Sequence, residues 1–171
     1  MNNINEEKQQ EEQLYKHLKN LNISFEKFEH EAFPTCQASG NYYTERKMGK
    51  DCKSIFMRNR KGKKHFLVIL PADKKIDVLF LADFLEEHRK MSFASDERLK
   101  KYLGLQPGSV TPFSLLHPNS KEVTVIFDND IFSEETIHFH PLRNTATLHI
   151  LTSDFQKYIK NLEQEVKYIT F

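Results

Sequence analysis

Tryptophan is absent from the 171 residues, and cysteine occurs only twice, at Cys36 and Cys52. Two cysteines are too few for a disulfide framework, so packing alone must close the core, and the consistent setting is a reduced, cytoplasmic one. Five glycines and six prolines exclude a fibrous or low-complexity chain. No run approaches the roughly 18 apolar residues of a membrane span. The first seven residues lack the basic and apolar regions of a signal peptide. An excess of one charge is also missing: 25 Lys and Arg stand against 24 Asp and Glu, a net of +1. These absences leave a soluble chain, long enough for one domain with a substantial core.

What is present is phenylalanine, 14 residues of it, and a local concentration of positive charge. Arg46 to Lys64 holds nine basic residues against one acid, Asp51. A local positive field on a neutral chain suggests a partner with local negative charge, phosphate being the obvious one.

Periodicity supplies the elements. Leu14, Leu18 and Leu21 share a helical face that ends near Asn22, after about ten polar residues expected to form a flexible tail. Residues 11–171 are expected to form one domain. Ile23 to Phe28 reads as a strand, and Thr35 is placed to cap a helix carrying Ala38 and Tyr42. Ser54 to Met57 and His65 to Leu70 are strands around the turn Asn59-Arg-Lys-Gly62, a hairpin with a basic tip. Asp77 to Arg89 has helical spacing, with Val78, Leu81, Leu85 and His88 as its face and Phe80 and Phe84 widening it. Ser95 caps a helix that Gly104 stops. Val123–Phe127, Thr136–Phe139 and Thr145–Leu151 are strands. Ser153 is placed to cap a last helix with Phe155, Tyr158, Ile159 and Leu162 on one face, and Val166 to Phe171 returns as a strand. Several connections are too short for parallel crossovers, so the expected class is α/β (α+β): a mixed, mostly antiparallel sheet surrounded by helices.

Several groups could carry chemistry, each beside an ordinary reading. Arg58, Arg60, Lys61, Lys63 and Lys64 give the density that phosphate contact needs, or simply a solvated hairpin tip. Lys53 stands at the mouth of an apolar strand, where it could hold a phosphate, a carbonyl or a ribose hydroxyl; by spacing alone it is an ordinary strand-end lysine. Cys36, in the first turn of a helix, and Cys52, between Lys50 and Lys53, are candidate nucleophiles or incidental thiols. His138 and His140 share a strand face, but a third zinc ligand is missing, and His65 and His149 are unplaced relative to them; one histidine lining a pocket is the simpler reading. The loop Gly104 to Pro112 exposes N–H groups that could receive an oxyanion or a ligand carbonyl, with a structural turn as the default. Asn144-Thr-Ala-Thr147 could line a pocket for a small side chain or serve only as strand residues.

Taken in order, four motifs are more specific than any one of them. They are Cys52-Lys-Ser-Ile-Phe-Met-Arg-Asn-Arg-Lys-Gly62, His65-Phe-Leu-Val-Ile-Leu-Pro71, Leu105-Gln-Pro-Gly-Ser-Val-Thr-Pro-Phe113 and Phe139-His-Pro-Leu-Arg-Asn-Thr-Ala-Thr-Leu148. Over about residues 12–165 the chain resembles the YbaK/ProX family of aminoacyl-tRNA deacylases, closest to its free-standing PrdX, or ProXp-ala, branch. The resemblance implies a trans-editing deacylase of mischarged tRNA-Pro, with Ala-tRNA-Pro as the expected substrate, that acts at the acceptor end without cofactor or metal. It also implies prolyl-tRNA synthetase as a further candidate partner, a monomer or homodimer, and no membrane.

By the same resemblance, Lys53 orients the terminal adenosine and the ester. Gly108 and Pro112, with Ser109, hold the substrate carbonyl and ribose. His140, Asn144 and Thr145 shape the amino-acid pocket, joined by Thr35 and by Ser54, where many relatives have Asn. Arg58, Arg60, Lys61, Lys63 and Lys64 remain for the tRNA backbone. Two departures stand out: Ser114 replaces the glycine of Pro-Phe-Gly, and Thr35-Cys-Gln-Ala-Ser39 replaces Thr-x-x-Glu-Ala. Other readings of the same residues are a Cys-tRNA-Pro deacylase of the YbaK type, a non-catalytic tRNA-binding module and a cysteine-dependent hydrolase.

Overall fold

In the computed structural model, residues 2–33, 36–87 and 90–171 are described, with side chains from residue 8 onward except 34–38 and 88–89. The central strand sets the architecture. β3 (His65–Pro71) is buried at all seven positions. Its alternation divides the core: Leu67 and Ile69 enter one apolar cluster, while Phe66, Val68 and Leu70 enter another on the opposite face. A near-continuous apolar run is what a strand covered on both faces requires.

β2 (Cys52–Arg58) pairs antiparallel with β3 across the hairpin, from Cys52 opposite Pro71 to Arg58 opposite His65. Gly62, at φ +65°, turns the tip, and Asn59 Oδ1 accepts the N–H groups of Lys63 and Lys64 at 3.0 and 3.3 Å. β4 (Ser92–Phe93) adds a short antiparallel edge to β2. On the other side β5 (Val123–Asp128) runs parallel to β3, and β8 (Val166–Ile169) runs parallel to β5. A second sheet of three antiparallel strands has the order β1 (Phe25–Glu29), β7 (Ala146–Leu151), β6 (Thr136–Phe139). The expected mixed, mostly antiparallel arrangement is therefore present as two sheets.

Helices cover these sheets. α1 (Asn2–Asn20) starts within the first ten residues, so the helix spans the expected tail boundary, and it buries Leu14 and Leu18 completely. α2 is Cys36–Glu45, and α4 (Asp96–Leu103) ends on Gly104 in the left-handed conformation. α5 (Thr152–Lys160) buries Phe155, Tyr158 and Ile159. It begins at Thr152, whose hydroxyl bonds the Glu134 carbonyl at 2.7 Å, so Ser153 lies inside the helix and is not its cap. Ser95 holds the cap position of α4 without a side-chain capping bond.

α3 is shorter than its spacing suggests. Asp77 Oδ1 caps it by accepting from the Leu79 and Phe80 N–H groups, but it spans only Val78–Phe84. Glu86 adopts φ +56°, which ends the turn, and His88 and Arg89 lie outside the described residues. Two turns can lay only one narrow face on the second core cluster. Leu81 and Ala82 take it, and Phe80 and Phe84 stay exposed.

One short segment joins the two sheets. The Lys50 N–H donates to the Thr136 carbonyl at 2.9 Å, and Lys50 bridges Ile137 in parallel. Gly49 permits this approach: at φ +75°, an added Cβ would lie 2.2 Å from the Thr136 oxygen. No side chain fits there, and L-residues disfavour that conformation. Gly49→Ala is therefore expected to lower unfolding free energy by roughly 2–4 kcal/mol in urea titration. At Gly40 the same substitution meets only an ordinary contact, 3.7 Å from Asp51 Oδ2. Gly40→Ala is expected to be neutral or to stabilise by up to about 1 kcal/mol through helix propensity. Equal effects at the two glycines would contradict the close approach.

Candidate active site

The segment that joins the sheets also opens a cleft of about 270 Å³ between them. One wall is the start of β2 with the residue before it: Asp51, Cys52, Lys53 and Ser54. The facing wall is the end of β6 and the residue after it: His138, Phe139 and His140. Ser39 and Tyr43 of α2 close one end, and Gly108 and Val110 of the loop after α4 close the other.

Each wall is fixed by identifiable bonds. Lys53 does not extend freely into solvent. Its ammonium donates to the Ala72 carbonyl at 2.9 Å and to the Lys74 carbonyl. That turn is braced in its own right, because the Lys74 amine pairs with the fully buried Asp128 at 2.8 Å and with Asp130 at 2.7 Å. An ammonium has three donors, so two are engaged and one is left for a ligand. The loop opposite is pinned from beneath. Phe113 is fully buried, edge-on to Phe139, Phe155 and Tyr158, and the Tyr158 hydroxyl donates to the Pro112 carbonyl at 2.9 Å. Gly108, at φ +87°, supplies the close-approaching backbone.

The histidines are ordered by the backbone. His140 Nδ1 meets the Ala146 carbonyl at 2.8 Å, and burial holds the ring below the usual histidine range, so it is neutral with Nε2 as a lone pair. His138 Nδ1 meets the Met48 carbonyl at 3.0 Å, and Nε2 meets Asp51 Oδ1 at 3.3 Å. His138 is thus held at both ring nitrogens, between the Met48 carbonyl and the Asp51 carboxylate. The Tyr43 ring lies against His138, tilted by 43° with centroids 3.9 Å apart, and its hydroxyl reaches Thr147 Oγ1 at 3.0 Å. Burial pushes the Tyr43 phenol up to about 12, so it stays protonated.

Of the residues singled out in the sequence, Lys53, Ser54, Gly108 and His140 meet in this cleft. Pro112 does not line it; it is buried and holds the loop from behind. Ser109, Asn144 and Thr145 line a neighbouring hollow of about 360 Å³ with Arg143 and Lys100, and Asn144 Nδ2 lies 3.6 Å from where a Cβ on Gly108 would stand. Thr35 lies outside the described residues, as does the side chain of Cys36.

The hairpin cations sit at the far end of β2, about 17 Å from Lys53 at the usual rise per residue. They are less free than the sequence suggests. Lys64 pairs with Glu87 at 2.6 Å, and the Arg58 guanidinium donates to the Asn59 and Arg60 carbonyls. Arg60, Lys61 and Lys63 stay exposed. Among the described residues, no group of three or more His, Cys, Asp and Glu is arranged to hold a metal ion, and no helix is long and apolar enough to cross a membrane.

Sequence reasoning missed Asp51, Tyr43, Ser39, Val110 and the pairing of His138. Asp51 carried one signal, as the lone acid in the basic stretch from Arg46 to Lys64.

The cleft between the two sheets thus brings together a braced lysine, a glycine loop and a neutral histidine. Comparison with known proteins gives the family. The family model of the aminoacyl-tRNA editing domain matches residues 30–158, and the chain belongs to that family. It is 40% identical over 108 residues to the prolyl-tRNA editing protein ProX of Acetoanaerobium sticklandii, covering 63% of this chain and 65% of that protein, just under two thirds of its length. It is 28% identical over 116 residues to prolyl-tRNA synthetase associated domain-containing protein 1 of Bos taurus, covering 66% and 67%. Its fold matches the crystal structure of a candidate trans-editing enzyme for prolyl tRNA synthetase with a TM-score of 0.65, at 13% identity over 86% of this chain and 87% of that one.

The cysteine at the cleft is not set up as a nucleophile. Burial, followed by the neighbouring Asp51 carboxylate, pushes the Cys52 thiol well above its usual value. Iodoacetamide at pH 7.5 is expected to modify Cys52 at least about tenfold more slowly than free cysteine, followed by peptide mass spectrometry. Labelling at the free-thiol rate would contradict this environment.

Proposed function

We propose that the protein is an aminoacyl-tRNA deacylase that hydrolyses the ester of mischarged tRNA-Pro, with Ala-tRNA-Pro as its substrate. The observation that carries this reading is the meeting of Lys53, Ser54, Gly108 and His140, from three separate stretches of sequence, in one cleft. Family membership and the editing function in the name of the ProX relative support it.

An aminoacyl ester is already activated, so positioning does much of the work. The remaining donor of Lys53 and the backbone at Gly108 hold the ester carbonyl and the terminal ribose. Water adds to the carbonyl carbon and the bond to the ribose oxygen breaks, which releases the amino acid and restores the terminal hydroxyl. The neighbouring ribose hydroxyl takes part in activating the water, and neutral His140 offers Nε2 as an acceptor facing the amino-acid moiety. No protein nucleophile is used, in line with the raised Cys52 thiol. Correct prolyl-tRNA is rejected by size, because a pocket fitted to a methyl side chain excludes the pyrrolidine ring. Ser109, Asn144, Thr145 and Thr35 act around this centre in substrate binding, and Pro112 acts through the loop it anchors. Arg58, Arg60, Lys61, Lys63 and Lys64 hold the tRNA backbone at a distance from the ester, chiefly through the exposed Arg60, Lys61 and Lys63.

The test is a side-by-side assay of tRNA-Pro charged with alanine, cysteine or proline, using the wild type and Lys53→Ala. The alanyl ester is expected to be cleaved and the prolyl ester spared. Lys53→Ala should lower the rate by about 100-fold or more with an unchanged circular dichroism spectrum. Preference for the cysteinyl ester would move the specificity to cysteine. Absence of any cleavage, or wild-type activity in Lys53→Ala, would overturn the reading.

A further inference from the structure

Among the described residues, Asp51 is the one acidic side chain lining the cleft. Its position is fixed. The Asp51 carbonyl accepts the Ala72 N–H at 3.0 Å, and Oδ1 lies 3.3 Å from His138 Nε2. His138 is only 2% exposed, anchored on the Met48 carbonyl and covered by the Tyr43 ring, so it cannot swing away from the carboxylate. The Asp51 side chain keeps 31% of its surface, so a ligand in the cleft reaches it. Its second oxygen points along the α2 wall, where a Cβ on Gly40 would come within 3.7 Å. Among the described residues no ion pair joins Asp51 to Lys53, whose ammonium is committed to the Ala72 and Lys74 carbonyls. The cleft thus holds a positioned carboxylate that its own lysine does not neutralise.

An aminoacyl ester brings the complementary charge. Its α-ammonium sits one carbon from the carbonyl under attack. We propose that Asp51, positioned by His138, is the counter-ion for the α-ammonium of the aminoacyl ester. The cleft therefore selects esters with a free α-amino group and turns away N-acylated ones, including peptidyl esters. This deepens the deacylase reading and rests on it. A charge-assisted hydrogen bond of this kind corresponds to roughly 10- to 100-fold in kcat/KM. Acylation removes the charge and adds bulk beside the carboxylate, so the two effects act in the same direction.

The experiment compares alanyl-tRNA-Pro with N-acetyl-alanyl-tRNA-Pro as substrates of the wild type, Asp51→Asn and Asp51→Glu. The wild type is expected to prefer the free amine by at least about tenfold. Asp51→Asn should lose activity on the free amine and change little on the acetylated ester, so the preference collapses, and Asp51→Glu should restore part of it. If Asp51 only braced His138, both esters would lose activity in parallel and the preference would survive in Asp51→Asn, which would overturn the proposal. Equal cleavage of the two esters by the wild type would overturn it with no variant needed. Cleavage of neither ester would remove the deacylase reading and this proposal with it, and is distinguished from the other outcomes by the wild-type result alone.

Discussion

The close approach of Gly49 to Thr136, together with the Lys50–Ile137 bridge, is the contact on which the rest of the cleft depends. Two sheets that shared only a core would be free to settle at several angles. Here a backbone contact sets the spacing at one point, and the chain then runs straight from that point into β2. As a result Asp51, Cys52, Lys53 and Ser54 face His138, Phe139 and His140 over a distance set by backbone atoms. The Met48 carbonyl, one residue before the glycine, is also the group that orients His138. The same short segment joins the sheets and builds one wall of the cleft.

The electrostatics follow from that geometry. Lys53 is held by two carbonyls of a turn that is itself held by the Lys74 pairs with Asp128 and Asp130. Ordering a lysine this way reduces the rotamer freedom it would lose on binding. On the other wall, burial keeps His140 neutral, while His138 Nε2 lies 3.3 Å from Asp51 Oδ1. The cleft thus presents a cation, an anion and a neutral acceptor at defined places, and an aminoacylated ribose carries groups to match each.

Much of the fold is written in local patterns. The apolar run Phe66–Leu70 marks a strand covered on both faces, and Asn59-Arg-Lys-Gly62 marks its hairpin. The order of four motifs points to the family that the comparison then gives. What is not local was not legible. The Asp51–His138 contact spans 87 positions and rests on which strands become neighbours. Glu87 follows a helix whose spacing predicts continuation, and only the left-handed Glu86 shows that the chain turns there and brings an acid to the basic hairpin. Ser109, Asn144 and Thr145 were grouped with Gly108 by motif, yet they line a neighbouring hollow rather than the cleft, and Asn144 Nδ2 comes close to Gly108, a juxtaposition that depends on how distant segments pack.

The central claim is that the amino-acid end of the substrate sits between β2 and β6. The most direct measurement is a backbone amide NMR titration with 3′-(L-alanylamino)-3′-deoxyadenosine, whose amide replaces the ester and resists hydrolysis. Saturable shifts are predicted at Ser54, Gly108, Val110, His138 and His140, with the hairpin from Asn59 to Lys64 unaffected. Shifts confined to that hairpin, or to the hollow around Arg143, would contradict the account.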